Sequence, residues 1–185
     1  MDTTLITDIF TYFAKFPDKA SVLKNFKSGS KEANYLALKA TIEALPAESL
    51  IPEIKEFIFG MNEDELHTRI KNMEDLFLFV EYGQVNLIRD EKNDITNSQI
   101  ALAVNVATKF NWDNKDTVEE SLLLNKTLNY LVKIINQIKA DDETNDCPLS
   151  RYFNNPSAIM QIEPKSFHNK LGWNIMFYKK ENLFE

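Results

Sequence analysis

Between residues 100 and 112 the chain alternates. Ile100, Leu102, Val104, Val106, Phe110 and Trp112 fall on even positions, and Ala101, Ala103, Asn105, Ala107, Lys109 and Asn111 on odd ones. Successive side chains of a strand point to opposite faces, so a period of two over about 13 residues specifies a long strand with one bulky and one small or polar face. The alanine face is expected to let a helix approach closely, and the face from Ile100 to Trp112 to meet other bulky groups.

The surrounding pattern supplies partners for this strand. Leu76, Phe77, Leu78, Phe79 and Val80 form a continuous apolar run of strand formers, which fits a strand over 75–82 covered on both sides. Gly83 is expected to break or bulge it, and the polar residues 90–94 to turn the chain into the strand at 99–112. Two further strands are expected over 158–163 and 171–179, the second from the alternation of Leu171, Trp173, Ile175 and Phe177. Before the last two lies the best helix, over 117–140. Its Leu124, Leu128, Leu131, Ile135 and Ile138 recur at four, three, four and three, and Thr117 with Glu120 reads as a capping box.

The first 46 residues read as helical. Leu5, Ile6, Ile9, Phe10 and Phe13 form a helical stripe closed by Pro17, and Tyr35, Leu38, Ile42 and Leu45 form a second that stops before Pro46. Residues 54–59 fit a strand or one helical turn, and Asn62 with Glu65 resembles a helix start. The expected organisation is a helical section over 1–46 and an α+β domain over 47–185, together one compact unit. Helix and sheet mix without a regular βαβ repeat, so the expected class is α+β with a mainly antiparallel sheet and one long helix packed on it.

Composition narrows the function classes. The 185 residues carry 21 Lys plus Arg against 28 Asp plus Glu, a net charge of -7, which argues against a dedicated nucleic-acid binder that must neutralise phosphates. With 44% hydrophobic residues the chain can fill a core, yet no run approaches the roughly 18 apolar residues of a spanning helix. The start lacks the basic region of a secretory signal and Asp8 interrupts the next apolar stretch, so the expected location is the cytoplasm. A single cysteine, Cys147, excludes an intrachain disulfide framework and a Cys-rich zinc module.

Little in the sequence points to catalysis. Gly29, Gly60, Gly83 and Gly172 stand apart from one another, so no phosphate-binding loop is formed. His67, four residues after Glu63, reads as a surface side chain, and His168 as a residue of the turn between the last two strands. Cys147 as a nucleophile would need a base that the sequence does not identify. The acidic run 141–146 fails the calcium-loop pattern, because Asp146 stands where glycine is required and Tyr152 where glutamate is required. It reads as a solvated helix end. Expected catalytic, cofactor and metal residues are therefore none, and no cofactor or membrane partner is expected.

One resemblance stands out. The long alternating strand, the helix over 117–140, the turn-forming Ile162-Glu163-Pro164, and Gly172-Trp173 opening a final alternating strand resemble, in order and spacing, small phage and prophage tail-completion proteins of the tail-terminator kind. The resemblance covers about residues 52–180. It implies a non-enzymatic α+β subunit whose copies form a ring at the end of a tail tube, with tube or connector subunits as partners and a phage-like particle as destination. An acidic ring lumen would let DNA pass without adhering. The helical section up to Pro46 is longer than such a domain needs, and a related connector is the variant it suggests. Sheet edges at 76–82 or 171–179 are the expected contacts of the ring. The alternative reading is a soluble acidic binding module, an immunity or regulatory protein with a basic partner.

Overall fold

The alternating segment forms the middle strand of a five-stranded sheet. The computed structural model describes residues 4–61, 68–89, 95–114, 116–147, 162–167 and 169–181. In chain order these contain α1 (Leu5–Phe13), α2 (Lys19–Leu23), α3 (Ala33–Ala44), β1 (Glu56–Gly60), a helical turn over 68–71, β2 (Phe77–Arg89), β3 (Ile95–Lys109), a 3-10 turn (Trp112–Asn114), α4 (Thr117–Glu143), β4 (Ile162–Phe167) and β5 (Lys170–Glu181). Sheet order is β1-β2-β3-β5-β4. β1 runs parallel to β2 and every other pairing is antiparallel, so the class is α+β with a mostly antiparallel sheet.

Several boundaries differ from the sequence reading. Segment 54–59 resolves as the fifth strand, β1. β2 continues well past residue 82 because Gly83 is accommodated as a bulge, where the register to β3 shifts between Tyr82 and Gln84. β3 stops at Lys109 rather than 112, since the amide of Phe110 donates to Asn169 O at the β4–β5 turn and Trp112 enters the 3-10 turn. Ile162, Glu163 and Pro164 do not form a turn. They lie in edge strand β4, the one position in a sheet where a proline lacking its N–H is tolerated. Of the strand expected at 158–163, residues 158–161 lie outside the described residues, as do the polar stretch 90–94 and the helix start at 62–65.

The two sheet faces are used in the opposite way to the expectation. α4 lies on the bulky face, where Leu131, Ile134, Ile135 and Ile138 join Leu102, Val104 and Val106 of β3 in one buried cluster. Ile9, Phe10, Phe13 and Phe16 from the α1 region belong to the same cluster. Large side chains from both layers are what fill the space between a helix and a sheet, and burying each contributes about 2 kcal/mol. The small face carries a lesser cluster in which Phe77 and Phe79 of β2 lie with Ile58, Ile70 and Ala107. β2 supplies there the bulk that β3 lacks.

Local chemistry fixes the helix ends. The cap of α4 is Asp116 rather than Thr117, its carboxylate accepting from the amides of Val118 (2.7 Å) and Glu119 (3.1 Å). The far end closes on Asn145 in the left-handed conformation at φ 60°, with Asp146 N donating to Asp141 O at 2.8 Å.

Gly172 and Trp173 tie the layers together from adjacent positions of β5. A Cβ on Gly172 would lie 2.1 Å from Val106 O and 2.6 Å from Ala107 Cα, so no side chain fits between β5 and β3. Trp173 points to the other face, where its Nε1 donates to Leu124 O of α4 at 2.8 Å. Thr127, fully buried, donates its hydroxyl to Leu123 O and Leu124 O at the same point of the helix. In urea denaturation Gly172→Ala is expected to destabilise the chain by about 2 to 3 kcal/mol, because backbone atoms must move. Trp173→Phe, which keeps the packing and drops one hydrogen bond, is expected to cost about 1 kcal/mol.

Candidate functional site

The densest group of interacting polar side chains joins α1 to the C-terminal end of α4. Asp141 lies in the last turn of that helix, where a carboxylate opposes the helix dipole and needs compensation. Lys15, just past α1, forms an ion pair with Asp141 Oδ2. Tyr12 donates its hydroxyl to the same oxygen at 2.8 Å, and Gln137 donates to Oδ1 at 2.7 Å. The Lys15 ammonium also sits 3.8 Å from the centroid of the Tyr12 ring, adding a cation–π contact. Cys147 is buried beside this group, its amide donating to Asp141 O at 3.1 Å.

These contacts set the protonation states. Burial alone would raise the Asp141 carboxyl, but hydrogen bonds from Lys15, Gln137 and Tyr12 outweigh it and hold the group below the ordinary carboxylate value. Burial pushes the Tyr12 phenol well above its usual range, with Cys147 and Asp141 adding to the rise. A nucleophilic thiol needs a neighbouring base. Asp141 is a poor one, because three donors already stabilise its ionised form. The geometry is that of a clamp between α1 and α4.

A second polar group lies on the small face. In the registered row of β3 and β5, Lys109 faces Lys170, Ala107 faces Gly172, and Asn105 faces Asn174. Lys170 is buried, and its ammonium donates to the carbonyls of Lys71 (3.4 Å) and Met73 where the 68–71 turn ends. Burial holds it below the ordinary lysine value. Lys109 pairs with Glu74 at the surface. Asn105 donates weakly to Phe79 O at 3.4 Å, and the Oδ1 atoms of Asn105 and Asn174 are buried without a hydrogen-bond partner.

The sequence candidates fall as follows. His67 and His168 lie outside the described residues. Cys147 is buried against the clamp, and Asp141 is turned into it rather than into solvent, unlike the reading of 141–146 as a solvated end. Among the described residues no three His, Cys, Asp or Glu side chains gather as metal ligands, and no helix is long and apolar enough to cross a membrane. Sequence reasoning missed Tyr12, Lys15 and Gln137. The available signal was a tyrosine hydroxyl and a lysine on the buried stripe of α1, which require a polar partner somewhere else in the chain. Comparison with family models, with curated proteins and with solved structures found no match.

The clamp makes stability depend on pH at both extremes. Asp141 has a depressed folded value, so its contribution is fully present above the ordinary carboxylate range and is lost as pH falls through the folded value. Tyr12 has a raised folded value, so its contribution is present below the ordinary tyrosine range and is lost as pH climbs beyond it. Thermal melts across pH are expected to show Asp141→Asn flattening the acid limb and Tyr12→Phe the alkaline limb. Tyr12→Phe is also expected to cost about 1 to 3 kcal/mol at neutral pH. Unchanged limbs would show that the clamp carries no stability.

Proposed function

We propose that this chain is a non-enzymatic assembly protein of a phage-like tail or related injection particle, of the tail-terminator or connector type. The observation that carries the reading is how the motifs of the resemblance lie together. The long alternating strand is the centre of the sheet, Ile162-Glu163-Pro164 forms its edge in β4, and Gly172-Trp173 locks the final strand to α4. Support also comes from the clamp, whose ionisable groups are spent on holding helices together. In this reading subunits act through their surfaces, in a ring built by a heterologous contact that closes.

The ring contact differs from the sequence expectation. Residues 77–81 lie between β1 and β3, and β5 lies between β3 and β4 over residues 170–175, so neither of those stretches is an edge. The outermost strands are β1 and β4. Mixed with the tail-tube protein encoded beside it, the chain is expected to cap tubes or form rings visible by electron microscopy, and Lys165→Glu in β4 is expected to reduce co-sedimentation. Tubes of unchanged length without co-sedimentation would overturn the reading, and capture of a basic protein instead would favour the acidic binding module.

A further inference from the structure

The sheet has three stretches of outer edge, and two are protected. Along β1, Arg69 donates to Phe57 O at 3.5 Å and to Asn25 Oδ1 at 3.0 Å, Lys24 pairs with Glu56 at 2.9 Å, and α2 lies alongside. β4 carries Pro164 and Lys165, residues that blunt a strand edge. The third stretch is the distal part of β2. β1 ends at Gly60, opposite Glu81, so among the described residues 82–89 have a strand neighbour on the β3 side only. No proline or lysine occurs there: the residues are Tyr82, Gly83, Gln84, Val85, Asn86, Leu87, Ile88 and Arg89. Where this edge begins, the rings of Phe59 and Tyr82 lie 4.5 Å apart and are only half-buried, and Met61 is exposed.

A free row of backbone N–H and C=O groups is matched by one kind of partner, another extended backbone. The ends of the stretch carry opposite charges, Glu81 at one and Arg89 at the other. Antiparallel pairing of the stretch with itself sets Glu81 against Arg89 of a second copy, and the two-fold axis makes that pair twice. Parallel pairing would set like charges together.

We infer that the distal edge of β2, residues 81–89, pairs antiparallel with the same edge of a second copy of this chain, joining two sheets across a two-fold axis. The contact is independent of the tail-type reading and leaves β4 free for a ring contact. Sedimentation of the full chain without any tube protein tests it. A monomer–dimer equilibrium is expected, and Arg89→Glu is expected to weaken it about tenfold, since two attractive pairs become repulsive. The double variant Glu81→Lys with Arg89→Glu is expected to restore it, and Lys165→Glu on the opposite edge to leave it unchanged. A monomer at every concentration would overturn the inference, as would a dimer indifferent to Arg89→Glu or one that the charge swap fails to restore.

Discussion

Residues 102–108 of β3 are all buried, and the rest of the molecule is arranged around keeping water from both sides of this one strand. Exclusion on the bulky face requires a layer with large side chains of its own, which α4 and the α1 region supply. Exclusion on the small face requires bulk from a neighbour, which comes from Phe77 and Phe79 across the register from Ala107 and Asn105. Burial on both sides leaves no solvent for polar groups, so the side chains of Asn105 and Lys170 must turn to backbone carbonyls.

Packing alone does not orient the helices, and directional contacts complete the arrangement. Trp173 holds α4 to β5 near the middle of the helix, and the Asp141 clamp holds its C-terminal end to α1. Between these two points run Leu131, Ile134, Ile135 and Ile138, the residues that meet the sheet. The N-terminal section is joined further by backbone bonds, with the amides of Leu50 and Ile51 donating to Lys15 O and Phe16 O. Helix and sheet thus share a core, and a chain with an interior of this kind presents its working chemistry on edges and outer surfaces.

Much of the fold was legible because periodicity is a local signal. The period-two run located β3, the four-three repeat located α4, and Gly83 marked the bulge in β2. What escaped was long-range. Which face of β3 receives α4 depends on Phe77 and Phe79, residues that a reading of β3 alone cannot weigh. Glu56–Gly60 is too short for its period to separate strand from helical turn, and only its pairing with β2 decides. The clamp joins residues more than 120 positions apart, so Tyr12 and Lys15 carried no visible link to Asp141. Pro164 suggested a turn because a proline interrupts most strands, whereas an edge strand tolerates it.

The central claim is that α1 and the sheet form one cooperative structure with a common interior. Native-state hydrogen exchange in increasing denaturant tests it most directly. The amides of Ala14 and Ile51, bonded to Phe10 O and Phe16 O, should merge with those of residues 102–106 into a single opening reaction with the free energy of global unfolding. Ala14 and Ile51 exchanging through a separate, lower-energy opening while residues 102–106 stay protected would contradict it.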